Sequence, residues 1–364
     1  MQYPTHEVVN QPPPLEGHNA FTLDLALGEA LAREGAAWAA DSLLELGKLA
    51  GTAEAIEWGR LANVNPPVLH THDRFGHRLD RIDFHPLYHE LMRIAIANGL
   101  NAAPWADSRP GSHVVRGAKF IVWTSVEAGH LCPMSMTYAV VPTLAAAPAL
   151  VAEWLPRLAS LEYDPAFAPA TGKRGATAGM ALTEKQGGSD VRANTTVAVP
   201  TGDGAYLLTG HKWFVSGTMA DVFVALAQAP GGLTCVLVPR WKPDGSPNNF
   251  FIQQLKDKMG DRSNATSEVE LADTWALPVG EEGRGVRTII EMVDRTRLDC
   301  SLGSAGLMRH GLTQAIHNAR HRQAFGKRLD EYELMMRVLA DLALESDAAT
   351  SAAMRLAGAY DRVA

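Results

Sequence analysis

The stretch "MALTEKQGGSDVRANTT", residues 180–196, lies where the chain changes from helical to β-rich sequence. Two adjacent glycines, Gly187 and Gly188, stand between a Thr-Glu pair and a Ser-Asp pair. Because glycine lacks a Cβ atom, its backbone can approach a ligand closely, and Thr183 and Ser189 add hydroxyl groups. The stretch has neither the Gly-Lys-Ser/Thr of a P-loop nor a G-x-G-x-x-G that opens a helix. By itself it predicts either a surface for a flat or anionic molecule or an ordinary capped glycine turn.

The residues before this stretch predict helices. Residues 25–50, "LALGEALAREGAAWAADSLLELGKLA", repeat apolar side chains at intervals of three and four. In "HPLYHELMRIAIANGL", Pro86 is typical of a helix start and Gly99 of a helix end. The segment "GAKFIVWTSVEAGHLCPMSMTYAVVPTLAAA" is apolar on nearly every face, and we expect buried helices that are interrupted at Pro133 and Pro142.

From about residue 175 to residue 273 the pattern is that of strands. Short β-branched runs, bounded by Gly, Pro, Asp or Asn, read "TTVAVP", "AYLLTGHKWFV", "DVFVALAQ", "GLTCVLVPR" and "SEVELAD". Within the second run, Gly210 separates residues 206–208 from residues 212–215, which predicts a hairpin. Regularly spaced short strands favour a small antiparallel barrel or sandwich.

Helical sequence returns from Val286 onward, in two long patterns. The fold class is therefore α+β and multidomain, with a helical, a β and a second helical part. We predict an N-terminal helical domain over residues 1–174, a middle β domain over residues 175–275 and a C-terminal helical domain over residues 276–364. The last pattern reaches Ala364 without a stop signal, so we expect a truncated chain and an incomplete C-terminal bundle.

Composition limits the functional classes. Hydrophobic residues make up 46% of the 364 residues, which allows a sizeable core, and the net charge of −7 argues against a chain that binds nucleic acid or anionic membranes as a whole. The three cysteines lie far apart without a CxxC, which indicates neither a disulfide framework nor a cysteine zinc site. The polar, Pro-rich start does not resemble a signal peptide, and we expect no membrane segment and a cytoplasmic location.

Three further segments carry chemistry. In "GHKWFVSG", residues 210–217, aromatic side chains stand beside Ser216, which suits a flat heteroaromatic ring as well as ordinary sheet packing. The segment "RTRLDC" places Arg295 and Arg297 on a helix. In "RHRQAFGKRL" four cations and an aromatic crowd about two predicted helical turns, as a phosphate site or a solvated helix face would: Arg320, Arg322, Phe325, Lys327 and Arg328.

Two other candidates favour a structural role. His85 and His89 have the i, i+4 spacing that zinc ligands use, but no H-E-x-x-H and no obvious third ligand accompany them, so we predict no metal. Cys132, next to Pro133 in apolar sequence, is predicted to be a buried structural thiol without a basic partner.

Five segments of the chain together resemble a known family. "MALTEKQGGSD", "GHKWFVSG", "DRSNATSEVEL", "GEEGRGVRTIIEMVDRTR" and "HRQAFGK" occur in the order typical of the acyl-CoA dehydrogenase flavoprotein superfamily. "WGRLANVNPPVL", "VEAGHLCPMSMTYA" and "TEKQGGSDVRANTT" are similar to its AidB branch, the alkylation-response proteins. The similarity extends from "THEVVNQPPPL" to the end of the chain.

The resemblance implies that FAD binds between the β domain and the C-terminal bundle. Contacts to the isoalloxazine ring are implied for Met180, Leu182 and Thr183. Gly188 and Ser189 would approach the ribityl and phosphate region, while the other side of the ring would be lined by Phe214, Val215 and Ser216. Arg322 and Phe325 match positions that reach the FAD of a neighbouring subunit, so a homo-oligomer, in the family a tetramer, is implied.

The implied activity is oxidation of the CH–CH bond of an acyl-CoA thioester, weak or uncertain in this chain. The catalytic Glu of most members is expected beyond the chain end, and the position used by one branch is Thr296 here. Asp294 and Asp299 belong on other helix faces, so the base stays unknown, and Arg297 matches a substrate-side arginine. The alternatives are a flavin-containing protein that binds and protects DNA through an absent C-terminal extension, and a fragment that holds no flavin.

Overall fold

The structure is a computed structural model that describes residues 5–107 and 109–363. Its helices are α1 (Leu25–Arg33), α2 (Ala40–Ala50), α3 (Ala53–Val64), α4 (Pro86–Ala97), α5 (Ser112–Thr124), α6 (Leu131–Leu144), α7 (Pro148–Leu158), α8 (Gly285–His321) and α9 (Glu333–Asp361). Its strands are β1 (Val68–His72), β2 (Arg78–Asp83), β3 (Ala178–Ala181), β4 (Val197–Pro200), β5 (Tyr206–Ser216), β6 (Val222–Ala229), β7 (Gly232–Pro239), β8 (Phe250–Leu255), β9 (Thr266–Pro278), β10 (Gln323–Ala324) and β11 (Lys327–Arg328).

The predicted α+β order of helices, strands and helices is confirmed. Helix α4 begins at Pro86 behind His85, and Gly99 follows its end with a φ of 73°. The two long carboxy-terminal patterns form α8 and α9. Among the described residues, no helix combines the length and apolarity needed to cross a bilayer.

The chain forms two compact units. The first unit comprises Met1–Glu57, Pro110–Val126 and Cys300–Ala364, and the second unit comprises Trp58–Arg109 and Glu127–Asp299. Both are built from segments distant in sequence. The domain limits predicted near residues 174 and 275 stay predictions.

Helices α1, α2, α5 and α9 pack together in the first unit. The Asp361 carboxylate, at the end of α9, accepts the backbone N–H groups of Gly111 at 2.8 Å and His113 at 2.9 Å. A negative charge is favourable there because the first N–H groups of a helix lack partners within the helix. This contact therefore fixes the start of α5 against the end of α9.

A closed barrel forms the centre of the second unit. Strands β6, β4, β5, β9 and β7 follow one another, and pairing of β7 with β6 closes the ring. Strand β3 is added in parallel to β6, and β8 pairs with β9. The pairing between β4 and β6 is also parallel, which the prediction of an antiparallel barrel did not include.

Strand β6 shows why the barrel sequence is so apolar. Val222, Val224 and Leu226 pack with α6, α7 and the start of α8 on one face of the strand. Its opposite face lies in the barrel interior, together with Leu208 and Val215. A strand buried on both faces is a continuous hydrophobic run rather than an alternating one.

The hairpin predicted around Gly210 is wrong. Residues Tyr206–Ser216 form one strand, whose register against β9 shifts between Leu208 and Gly210. A Cβ atom on Gly210 would lie 2.5 Å from Thr196 Oγ1 and 2.7 Å from its Cα. The glycine therefore marks a bulge where two backbones approach closely, not a turn.

The predicted breaks at Pro133 and Pro142 are also wrong, since α6 runs from Leu131 to Leu144. Pro133 lies in the first turn, where a missing N–H costs no helical hydrogen bond. Pro142 leaves the Tyr138 carbonyl without its helical donor, and the Trp105 indole N–H binds that carbonyl at 2.8 Å. The actual interruption is the segment between Thr124 and Leu131.

The basic cluster after α8 is not helical. The helix ends at His321, and β10 and β11 form a hairpin, here called the terminal hairpin. Its turn consists of Phe325 and Gly326, with φ values of 49° and 80°. Two central residues with positive φ are typical of the two-residue turn that fits the twist of paired strands.

Candidate functional site

Strand β3 and the loop after it run beside the end of β5. The Trp213 N–H donates to the Thr183 carbonyl at 2.8 Å, and a Cβ atom on Gly179 would lie 3.4 Å from the Ser216 carbonyl oxygen. A Cβ atom on Gly188 would lie 2.5 Å from Thr183 Oγ1, so the glycine loop folds back onto that hydroxyl. This arrangement, here called the β3–β5 surface, joins residues from both sequence motifs: Met180, Leu182, Thr183, Gly188, Phe214 and Ser216.

The side chains of β5 alternate at this surface. Phe214 is 50% exposed and Ser216 is half-buried, whereas Val215 is 0% exposed in the barrel core. The Ser216 hydroxyl pairs with Thr266 Oγ1 at 3.0 Å. Val215 can therefore contact a ligand only through its backbone, because successive side chains of a strand point to opposite faces.

A buried ion pair holds the glycine loop. Glu184 and Lys212 are 0% and 1% exposed, and their side chains meet at 2.9 Å. The Glu184 carboxylate also accepts the N–H groups of Thr195 at 2.6 Å and Thr196 at 3.1 Å, as well as both hydroxyls. Lys212 donates to the Leu226 carbonyl at 2.8 Å. The pair thus connects both ends of the loop to β5 and β6.

These contacts decide the charge of Glu184. Burial opposes ionisation of the carboxyl group, but hydrogen bonds from Thr195, Thr196 and Lys212 outweigh burial and hold its pKa well below the ordinary range. We did not predict a role for Glu184 or Lys212 from sequence. Two charged residues inside otherwise β-forming sequence were the available signal.

Lysines surround the exposed aromatic side chains. Lys256 Nζ lies 3.4 Å from the Trp213 ring centroid and 4.6 Å from that of Phe214. Lys185 lies 4.9 Å from the Trp213 ring centroid. Lys256 also pairs with Glu268 at 2.7 Å. Lys256 is not among the residues predicted from sequence; its position over an aromatic face is a favourable contact for a cation.

Cys132 lies near the same strand end. Burial raises the pKa of this thiol to about 11, although Ser216, Lys258 and Asn264 oppose that increase. The thiol is therefore protonated at neutral pH, as expected for a structural cysteine. The sequence around Cys132 contains no basic partner, but Lys258, distant in sequence, interacts with it electrostatically.

Of the predicted residues, Phe325 lies in the terminal hairpin and Arg322 directly precedes it, both in the first unit. Arg322 Nη1 donates to the Asn10 carbonyl at 2.8 Å, and Asn10 exchanges two hydrogen bonds with the backbone of Gln323. Phe325 is 99% exposed at the tip of the turn. Arg328 pairs with Asp330 at 3.0 Å and with Glu331 at 3.2 Å, which reduces its availability for phosphate.

The candidate residues on α8 have separate environments. Arg297 is exposed, and the Thr296 hydroxyl donates to the Val293 carbonyl at 2.8 Å. Asp294 pairs with Arg295 at 2.8 Å, while Asp299 is buried. Ser189 is exposed in the glycine loop. Roles for Arg297, Ser189 and the other predicted contact residues stay predictions.

The paired histidines of α4 have other partners. His85 Nδ1 accepts the Leu87 N–H at 3.3 Å, and His89 Nδ1 pairs with the Tyr163 hydroxyl at 2.8 Å. Across the described part of the chain, no three His, Cys, Asp or Glu side chains are grouped as metal ligands.

Three family models match the chain in the order of its elements. They are the adaptive response protein AidB N-terminal domain over residues 10–165, the acyl-CoA dehydrogenase middle domain over residues 179–274 and the acyl-CoA dehydrogenase C-terminal domain over residues 283–364. The middle model includes both motifs of the β3–β5 surface.

Individual relatives agree with these matches. The chain is 47% identical to AidB of Escherichia coli over 364 residues, which cover 100% of this chain and 67% of that protein. Caenorhabditis elegans ACDH-11 in complex with C11-CoA has a TM-score of 0.86 at 26% identity, over 100% of this chain and 63% of that chain. A Mycobacterium smegmatis glutaryl-CoA dehydrogenase in complex with FADH2 has a TM-score of 0.62 at 24% identity, over 75% of this chain and 68% of that chain. The chain belongs to the acyl-CoA dehydrogenase family, in its AidB branch.

Proposed function

We propose that the chain is part of an FAD-dependent oxidoreductase and that the β3–β5 surface holds the flavin. The observation that carries this proposal is the convergence of Thr183, Gly188 and Phe214 beside one open strand end. Such a surface offers apolar contact for a ring together with hydroxyl and backbone groups for its polar edge.

The local features fit this cofactor. Gly188 leaves a space that a Cβ atom could fill only by displacing the Thr183 hydroxyl. Half-buried Met180 and Leu182 and half-exposed Phe214 provide apolar surface, and Lys185 and Lys256 provide positive charge. Cations near the loop favour an anionic ligand such as a diphosphate.

The protein residues have the task of binding and orientation. Backbone N–H groups of the loop, with the Thr183 and Ser189 hydroxyls, would bind the polar groups of the cofactor, and Phe214 would shield its ring. Glu184 and Lys212 would fix these groups beforehand, which lowers the ordering cost of binding. When bound, the flavin supplies the two-electron redox chemistry.

We propose an acyl-CoA thioester as the substrate class, with Arg297 on the substrate side and an unassigned catalytic base. The C11-CoA complex of ACDH-11 supports this class. Proton removal next to the thioester needs a carboxylate or other base within hydrogen-bond reach. Thr296 lacks a carboxyl group, so a base from another segment is required.

The oligomeric state, location and biological role of the protein are also proposals. A homotetramer would bring Arg322 and Phe325 of one subunit to the FAD of another, and exposed apolar residues on α9, such as Leu334 and Leu344, support association. We propose a cytoplasmic location and a role in the alkylation response. DNA protection by a flavin-containing protein is the alternative, against which stands the net charge of −7.

An absorption spectrum of the purified chain tests the flavin proposal. We expect a flavin band that persists through gel filtration, and at least a tenfold weaker affinity for FAD in Gly188→Val, since the added side chain displaces Thr183. Gly172→Ala, where a Cβ atom meets nothing within 4 Å, is the matched control. A folded chain that stays colourless with added FAD would contradict the proposal.

Two assays separate the functions. Bleaching of the flavin by short branched acyl-CoAs, measured by stopped flow, would support the oxidoreductase. Tight, salt-sensitive retardation of DNA in a gel-shift assay would favour the alternative.

A further inference from the structure

The second unit contains a cavity of about 420 Å³ outside the β3–β5 surface. It lies among α4, the end of β2, the start of α6, the turn between β5 and β6, and residues 163–167. None of the residues that we propose to contact the flavin lines it. The volume is within the range of sites for small molecules.

The wall of the cavity is largely apolar and aromatic. Phe84 and Tyr88 are stacked with ring centroids 4.3 Å apart and an interplanar angle of 13°. Met92, Phe167 and Met219 also line the space. A preformed aromatic wall favours a ligand with a flat or apolar body.

Tyr88 is the unusual residue in this wall. Tyr88 is only 4% exposed, and within residues 5–107 and 109–363 its hydroxyl has no hydrogen-bond partner, although a buried tyrosine normally finds one. Burial raises the pKa of Tyr88 well above the ordinary range, so the group stays a protonated donor. The Tyr163 hydroxyl differs, since it pairs with His89 Nδ1 at 2.8 Å.

The charged groups of the wall are balanced. Arg81 pairs with Asp83 at 3.0 Å, and buried Lys173 pairs with Asp221 at 2.7 Å. Asp164 interacts with Lys173 and Arg174. Burial lowers the pKa of His89, which favours its neutral form. A ligand therefore needs no net charge.

We propose that this cavity is a second ligand site, for an uncharged, largely apolar molecule whose carbonyl-type acceptor binds the Tyr88 hydroxyl. The proposal does not depend on flavin binding. No described residue accepts a hydrogen bond from this hydroxyl, and a ligand carbonyl would do so.

A matched pair of probes tests the site. Acetophenone and ethylbenzene have similar size and shape, but only acetophenone carries an acceptor. We expect the chain to bind acetophenone about five- to tenfold more tightly than ethylbenzene, as measured by calorimetric titration. Tyr88→Phe removes only the hydroxyl and should make the two affinities equal.

Two further variants make the result decisive. Tyr206→Phe loses a hydroxyl that binds Glu282 elsewhere in the second unit, and because Tyr206 does not line the cavity this variant should keep the preference for acetophenone. Ala220→Leu fills the cavity and should abolish binding of both probes. The proposal is overturned if neither probe binds at millimolar concentration, if the preference survives in Tyr88→Phe, or if Ala220→Leu binds both probes normally.

Discussion

Two segments that we propose to contact the cofactor, the glycine loop of residues 183–196 and the terminal hairpin of residues 323–328, are held in place by different forces. The loop is fixed by Glu184 and Lys212, an ion pair that is buried and further hydrogen-bonded. The hairpin is fixed by exposed hydrogen bonds, chiefly to Asn10. Both segments contain glycine and charged residues, so their compositions are similar.

The two segments therefore differ in rigidity. A charge that is removed from water requires a complete set of partners, and losing one partner destabilises the whole fold. Exposed hydrogen bonds exchange easily with water, so their loss is local. We therefore expect a rigid glycine loop within the second unit and a terminal hairpin that can open without unfolding of the chain.

The largest expected effect is that of Glu184→Ala. It leaves the Lys212 ammonium buried without its carboxylate, and we expect a loss of about 3–5 kcal/mol in the free energy of unfolding. Chemical denaturation measures this loss. Glu333→Ala removes the exposed partner of Arg337 and should cost less than about 1 kcal/mol. Equal losses in the two variants would contradict the comparison.

Glu184→Gln tests how far the ionised Glu184 carboxylate accounts for the pH dependence of stability. The folded pKa of Glu184 is lowered, so its stabilisation is fully present above the unfolded pKa of about 4.3 and is lost as the pH falls below that value toward the folded pKa. We expect the stability of the wild type to fall more steeply than that of Glu184→Gln below about pH 4.5. Denaturation midpoints between acid and neutral pH measure this, and parallel curves would show that Glu184 does not carry the effect.

Gly210→Ala tests the close approach of the Gly210 and Thr196 backbones. The new methyl group would lie 2.5 Å from Thr196 Oγ1, and we expect a destabilisation of about 1–3 kcal/mol. Gly311→Ala in α8 meets nothing within 4 Å and should stabilise the helix by up to about 1 kcal/mol. Unchanged stability of Gly210→Ala would mean that the bulge is freely adjustable.

The smallest expected effect is that of Asn10→Ala. It removes the two side-chain hydrogen bonds to Gln323, and we expect faster hydrogen exchange in residues 323–328 with less than about 1 kcal/mol change in global stability. Asn10 has a φ of 61°, which alanine adopts only with strain. Asn10→Gly removes the same side-chain hydrogen bonds but tolerates this conformation, so it serves as the control for backbone strain. Global destabilisation by either variant would break the comparison.

Much of the fold follows from local pattern. The periods of three to four residues predicted α4, α8 and α9, because a helix buries one side of a local repeat. Short strands such as β3, "AGMA", were missed because four residues without alternation give no period. The hairpin of β1 and β2 was missed for a similar reason, since most of its residues are exposed or half-buried.

The residues of the candidate site could be predicted from sequence, but the directions of their side chains could not. The motifs supplied Thr183, Gly188 and Phe214, yet the inward position of Val215 depends on the register of β5 in the barrel. Lys256, just after β8, and Tyr88, in α4, are distant in sequence from these motifs, and no local pattern connects them with a site.

The order of helical and β segments, the branch of the family and the motifs of the β3–β5 surface could be predicted without the fold, since these depend on residues close together in the chain. The fold was needed to show that Gly210 is a bulge, that Glu184 is buried against Lys212 and that Tyr88, whose hydroxyl has no hydrogen-bond partner among the described residues, lines a cavity. The physical reason is that burial and pairing arise from contacts between distant segments, and these exist only after the chain has folded.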